Sequence, residues 1–84
     1  MYPIVDKEEL SSTVTRFVVH APFVAAKRKP GNFVIIRAEE TGERIPLTIV
    51  DSDSEEGTIT LIVQAVGKTT RLLQQKEVGD NLLD

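Results

Sequence analysis

Two short stretches of this sequence carry residue types that could bind a phosphate or another anion. Residues 44–48 (Arg-Ile-Pro-Leu-Thr) combine a guanidinium, a proline and a hydroxyl, and residues 67–70 (Gly-Lys-Thr-Thr) combine a glycine, an ammonium and two hydroxyls. Arginine can hold a phosphate through two parallel hydrogen bonds. A glycine turn that opens a helix presents free backbone N–H groups to an anion. An edge strand protected by its proline and an ordinary capped helix are the alternatives for these stretches.

Other kinds of chemistry find little support in the chain. The Gly67–Thr69 segment is not a nucleotide-triphosphate loop, because Ile62 stands where that motif needs its first glycine. The chain has no cysteine and a single histidine, His20, so thiolate metal sites are excluded. The acidic run at 51–56 lacks the spacing of a calcium-binding loop and is interpreted as a solvated loop. We therefore expect neither catalytic residues nor a metal site.

Length and charge limit the class of protein further. The 84 residues are expected to form one domain, spanning 1–84, with a formal net charge of -3 that argues against nucleic-acid binding. No segment approaches the roughly 20 consecutive apolar residues of a membrane span, so we expect a soluble, cytoplasmic protein. The basic cluster Lys27–Lys29 is interpreted as a solvated patch, with weak steering of an anionic partner as the alternative.

Residue patterns predict the elements that would position the two stretches. β-Branched and aromatic residues predict strands over residues 2–7, 13–20, 32–38 and 44–50, and clear alternation predicts another over 58–66. A run of good helix formers after residue 70, with Thr69 or Thr70 as N-cap, predicts one late helix that ends near residue 79. Five or six short strands followed by a helix predict an all-β fold, a small antiparallel barrel.

Three stretches, in order and at their separations, resemble a known family. They are residues 30–34 (Pro-Gly-Asn-Phe-Val), 44–49 (Arg-Ile-Pro-Leu-Thr-Ile) and 66–70 (Val-Gly-Lys-Thr-Thr). The chain resembles the FAD-binding barrel of the ferredoxin–NADP reductase superfamily. Within it, the chain is most similar to the electron-transfer subunits of the dihydroorotate dehydrogenase B and NADH-dependent ferredoxin:NADP oxidoreductase (sulfide dehydrogenase) type. The resemblance implies a six-stranded antiparallel Greek-key barrel with one C-terminal helix.

The resemblance also implies a set of FAD-binding residues. In the family, the strand that carries the arginine and proline lies against the isoalloxazine and ribityl, and the glycine–threonine turn holds the pyrophosphate. Carried over to this sequence, the cofactor-binding residues would be Arg44, Ile45, Pro46, Leu47, Thr48, Ile62, Val63, Gln64, Gly67, Lys68, Thr69 and Thr70.

The function implied is that of a flavoprotein domain that moves electrons between NAD(P)H and an iron–sulfur or ferredoxin partner. We expect the chain to be a fragment of a larger subunit, without its NAD-binding and iron–sulfur domains and without its catalytic partner subunit. It should be inactive alone and bind FAD weakly or not at all. A missing last barrel strand would leave an edge unpaired and favour a homodimer. The alternative is a cofactor-free barrel that serves as a protein-interaction module.

Overall fold

The computed structural model of this chain describes residues 2–83, which form a curled antiparallel sheet of six strands and two short helices. The elements in chain order are β1 (Tyr2–Glu9), β2 (Val14–His20), α1 (Pro22–Lys27), β3 (Phe33–Ile36), β4 (Ile45–Asp53), β5 (Thr58–Gln64), α2 (Lys68–Gln74) and β6 (Asn81–Leu82).

The order of strands in the sheet is β3-β4-β5-β2-β1-β6. Because β5 returns to pair with β2, strands β2 to β5 form a Greek key. The predicted six-stranded antiparallel Greek-key barrel with a helix near its C-terminus is therefore confirmed. Short turns join β1 to β2 and β4 to β5, and the turn before β5 includes Gly57, whose positive φ of 70° favours glycine.

The core lies inside the curl of the sheet and follows the alternation of the strands. On β2 and β5, every second side chain is buried, as the period-2 pattern of the sequence predicts. The side chain of Leu73 adds the only fully buried contribution of α2. The largest fully buried side chains are Phe17, Ile4, Ile36, Ile49, Ile59, Leu61, Leu73, Leu82, Val19 and Val63.

The helices differ from the prediction in three ways, of which the simplest is that α2 ends at Gln74 and not near residue 79. Helix α1 was not expected, because six residues are too few to show a helical period; Pro22, which fits the first helical turn, begins it. The N-cap of α2 is Gly67, whereas Thr69 or Thr70 was predicted, and Thr70 lies in the first turn. Neither helix in the described part of the chain is long and apolar enough to cross a membrane.

Strand β4 begins and ends later than predicted. Arg44 precedes the strand, and the strand continues to Asp53, so the interpretation of residues 51–56 as a loop is wrong for its first half. Backbone pairing of residues 51–53 with β5 explains the difference, because polar side chains are tolerated where they point to solvent. A register shift between Ile49 and Asp51 accommodates the change of pairing along the strand.

The prediction that the last barrel strand is missing is also wrong in part. Strand β6 pairs with β1 through Leu82 and Asn81, and Leu83 then bridges to Arg37 just after β3. The Arg37 N–H donates to the Leu83 carbonyl at 2.7 Å, and the Leu83 N–H donates to the Arg37 carbonyl at 3.1 Å. The sheet thus meets itself at this point. Within residues 2–83, the part of β3 at 33–35 has no ladder partner opposite β4.

Candidate functional site

Strand β4 changes partner along its length, and the unpaired stretch that this leaves between β4 and β5 is termed here the cleft. Residues 45–48 pair with β3, whereas the ladder with β5 begins only at Ile49, which faces Leu61. Residues 62–64 of β5 continue to pair with β2. The first half of β4 and the last half of β5 therefore diverge, and residues 45–48 and 62–64 form the two walls of the cleft.

Pro46 has its ring nitrogen on the side of β4 that faces away from β3. The Ile49 N–H donates to the Asn32 carbonyl at 2.8 Å, and the Gly31 N–H donates to the Ile49 carbonyl at 2.9 Å, so the polar backbone groups of Ile49 face β3. Because these groups alternate along an antiparallel strand, those of Pro46 face the cleft. Pro46 therefore removes no hydrogen bond from the β3–β4 ladder, which explains how proline is tolerated inside this strand.

Alternation also decides which side chains of the walls are accessible. Pro46 and Thr48 on β4 are exposed, as is Gln64 on β5, and Ile62 is partly buried on the same outer face. The side chains of the residues between them point inward: Val63 is 1% exposed and belongs to the core, and Ile45 and Leu47 pack against it. The polar backbone groups of these three residues also face away from the cleft, those of Ile45 and Leu47 toward β3 and those of Val63 toward β2. The three residues therefore support the walls from the core side.

The turn at residues 66–70 is fixed by the hydroxyl of Thr70. Its Oγ1 accepts hydrogen bonds from the Val66 N–H at 2.9 Å and the Gly67 N–H at 3.0 Å, and it donates to the Gly67 carbonyl at 3.0 Å. The helical hydrogen bonds of α2 begin with the Arg71 N–H, which donates to the Gly67 carbonyl. The N–H groups of residues 68–70 thus have no helical acceptor and are the donors that a ligand can use.

Nothing in the described structure requires a glycine at position 67. Its φ of -168° and ψ of -175° are extended values that any residue adopts. A Cβ built on Gly67 would meet no atom within 4 Å. The missing side chain leaves open space next to the free N–H groups of the first turn, and this space would admit a ligand close to the backbone.

Glu43 connects the two stretches that the sequence pointed to. The Thr69 hydroxyl donates a hydrogen bond of 2.9 Å to the carboxylate of Glu43, which lies one residue before Arg44. This contact brings the start of β4 to the start of α2, so that Arg44 and Lys68, both exposed, stand at the same end of the cleft. Sequence reasoning did not identify Glu43, since a glutamate in a polar turn gives no signal of a partner 26 residues away.

Eleven of the twelve predicted site residues therefore belong to the cleft walls or to the turn beside them, and the twelfth, Arg44, directly precedes the first wall. The Thr69 and Thr70 hydroxyls each already donate to a partner within the chain. Among residues 2–83, no group of three His, Asp or Glu residues is arranged to hold a metal ion.

Comparisons with known proteins show which family and which relatives this chain is similar to. The profile of the family described as "Oxidoreductase FAD-binding domain" matches residues 1–83. A protein of Clostridium beijerinckii described as "Uncharacterized protein in adh 3'region" is 49% identical over 84 residues, which is 100% of this chain and 28% of that protein. The "Dihydroorotate dehydrogenase B (NAD(+)), electron transfer subunit homolog" of Thermotoga maritima is 47% identical over 96% of this chain and 29% of its own length.

A solved structure resembles the chain over its whole length. A chain of the NADH-dependent reduced ferredoxin-NADP oxidoreductase, a structure described for its insight into flavin-based electron bifurcation, superposes with a TM-score of 0.96 at 45% identity. The match covers 100% of this chain and 30% of the other. The chain thus spans less than a third of the length of each of these three proteins.

Proposed function

This chain belongs to the family of oxidoreductase FAD-binding domains, and from that membership we propose that its β4–β5 cleft is the FAD site. The observation that carries the proposal is the divergence of β4 from β5 next to the turn at residues 67–70. The divergence leaves an accessible strip of two strands for a planar ring system. The turn supplies backbone donors for a diphosphate at one end of that strip.

The residues present fit the cofactor part by part. The N–H groups of residues 68–70, together with the side chains of Arg44 and Lys68, would hold the diphosphate, and the open space at Gly67 lets it approach. The exposed face of the cleft would hold the isoalloxazine and ribityl through Pro46, Thr48, Ile62 and Gln64. Ile45, Leu47 and Val63 would support the two strands from the core side. Thr69 and Thr70 would act by holding the turn.

Bound FAD supplies the redox chemistry, the acceptance and release of electrons, which no side chain of this protein can perform. The chain's own part is to bind and orient the flavin and to place donors beside its charged diphosphate. We propose that in a longer polypeptide the domain works with a nicotinamide-binding domain, an iron–sulfur segment and a catalytic partner subunit, moving electrons between NAD(P)H and a ferredoxin-type partner. The names of the relatives, an electron transfer subunit and a ferredoxin-NADP oxidoreductase, support this assignment.

We still propose that two copies of the chain pair through an open barrel edge. The edge that is available for this pairing is shorter than expected. The polar backbone groups of Phe33 and Ile35 lie on the same side of β3 as those of Arg37, which Leu83 already occupies. Two copies could therefore pair only over residues 33–35. Multi-angle light scattering at increasing protein concentration should show a dimer mass; a monomer mass throughout would remove the homodimer from the account.

The FAD site is tested by titrating the chain with FAD and with riboflavin, which lacks the diphosphate. Two variants probe the diphosphate end: Arg44→Ala and Gly67→Asn. Asparagine is at least as good an N-cap as glycine, so the free energy of unfolding of Gly67→Asn should not fall while its side chain fills the space that the ligand needs. We expect each variant to weaken FAD binding by about tenfold, equivalent to one lost polar contact, and to leave riboflavin binding unchanged.

Ser54→Asn serves as the matched control, because Ser54 is exposed in the turn between β4 and β5. It should bind FAD as the parent chain does. Equal FAD binding by all three variants would contradict the FAD site and would favour a cofactor-free interaction module.

A further inference from the structure

We propose that the exposed end of α1 forms a docking surface for an acidic, apolar-bearing segment of a partner protein. The surface, termed here the basic patch, consists of Phe23, Lys27, Arg28 and Lys29. It is independent of the proposed FAD site and would serve the chain whether or not flavin is bound.

The basic patch combines an exposed aromatic ring with three consecutive cations. The Phe23 side chain is 81% exposed, the highest value among the large apolar residues that the structure describes. Positions 23 and 27 lie four apart on α1 and therefore share one face of the helix. Within residues 2–83, the three ion pairs of the protein lie elsewhere, so the cations of the patch have no carboxylate partner.

Two concave sites adjoin at the patch and can receive side chains. One, of about 240 Å³, is lined by Phe23, Val24, Lys27 and Arg28. The other, of about 320 Å³, shares Val24 and Arg28 with the first and extends along β3 to Phe33, whose ring is 60% exposed. Aromatic residues and arginine are the types that contribute most to protein–protein binding. An apolar side chain of the partner would enter one of these concave sites, and the partner's carboxylates on either side of it would meet the cations of the patch.

The charge of the basic patch indicates which kind of partner it binds. The chain carries a formal charge of -3, yet the patch presents +3, so its cations attract an acidic segment and repel another copy placed patch to patch. An anionic membrane surface is disfavoured because the acidic turn at 53–56 lies beside the start of α1, where the Ala21 N–H donates to the Gly57 carbonyl at 2.8 Å. Concave sites also suit a peptide segment better than a flat bilayer surface.

The test uses the full chain and two synthetic hexapeptides with blocked ends. The first has the sequence Asp-Glu-Phe-Leu-Glu-Asp, and the second replaces each acidic residue with lysine. Amide chemical shifts of the isotopically labelled protein report where each peptide binds. We expect the acidic peptide to shift the signals of residues 23–29 and the basic peptide to leave them unchanged.

Variants then distinguish docking of the acidic peptide at the basic patch from electrostatic attraction to the protein as a whole. The double variant Lys27→Glu/Arg28→Glu should lower the affinity for the acidic peptide about tenfold, and Phe23→Ser should lower it severalfold. Arg71→Glu/Lys76→Glu, one change on α2 and one just after it, makes the same change in net charge away from the patch and should retain binding. Equal loss in both double variants, equal shifts with both peptides, or no shifts at all would overturn the proposal. So would binding of the parent chain to phosphatidylserine vesicles that the Lys27→Glu/Arg28→Glu variant loses, with no response to the acidic peptide.

Discussion

Thr70 shows how a single residue can support the candidate site without meeting the ligand. Its hydroxyl makes three hydrogen bonds within the turn that leads into α2. The threonine side chain thus satisfies two backbone N–H groups that precede the helix, and it leaves the next N–H groups exposed. Although a threonine hydroxyl can donate to a phosphate, we propose that Thr70 acts by positioning the turn.

Replacing Thr70 tests this role directly. We expect Thr70→Val to lower the free energy of unfolding by about 1–2 kcal/mol, since two N–H groups lose their acceptor, and Thr70→Ser to restore most of the loss. Thr69→Val is the matched control, because the Thr69 hydroxyl makes a single exposed bond to Glu43. Urea unfolding followed by circular dichroism measures all three variants. Equal losses for Thr69→Val and Thr70→Val would contradict the assignment.

The charge of Glu43 opposes that of the proposed ligand, because its carboxylate lies against Thr69 at the end of the cleft where we propose that the diphosphate binds. In Glu43→Gln, an amide oxygen can still accept the Thr69 hydroxyl, while the negative charge is removed. We therefore expect FAD to bind roughly threefold more tightly to this variant, with the difference decreasing as salt is added. Riboflavin binding should not change. Weaker FAD binding by Glu43→Gln would show that the charge is needed.

At the scale of elements, α2 depends on one buried side chain to hold it against the sheet. Leu73 is fully buried, and Lys7 of β1 adds a hydrogen bond of 2.8 Å from its Nζ to the Gln74 carbonyl at the end of the helix. The position of the free N–H groups at residues 68–70 is thus set from the far end of a seven-residue helix.

Leu73→Ala should accordingly destabilise the domain by about 2–5 kcal/mol, because it removes buried methyl groups and leaves a cavity. Leu72→Ala, at a partly buried neighbouring position, should cost less. Thermal unfolding at several concentrations of urea compares the two. A loss for Leu73→Ala no larger than that for Leu72→Ala would mean that α2 is held by other contacts.

How far the sequence predicts the elements depends on how each one is stabilised. Strand β5 was predicted well, because Ile59, Leu61 and Val63 alternate with outward residues and are buried in the core. Helix α1 was not predicted, because its six residues are too few to show a helical period. The end of β4 was not predicted either, because residues 51–53 are held by backbone pairing, which their polar side chains do not reveal. Strand β6 has only two residues, and its pairing with β1 is a tertiary contact without a local signal.

At the scale of the whole molecule, the sequence likewise predicts only part of the candidate site. Residues 44–48 and 67–70 could be singled out because arginine, proline and glycine are unusual where they stand. The way in which β4 leaves β5, which gives the cleft its walls, depends on the full order of strands and on the register shift at Ile49. The partner of Glu43 and the inward direction of Val63 likewise follow only from the folded chain.

The measurement that tests the account most directly is a map of FAD binding by amide chemical shifts of the isotopically labelled chain. We expect FAD to shift the signals of residues 47–48, 62–64 and 68–70 together and with a single dissociation constant, and ADP to shift only those of 68–70. Shifts confined to the groove at Tyr2, Val24 and Phe33 would contradict a flavin site between β4 and β5.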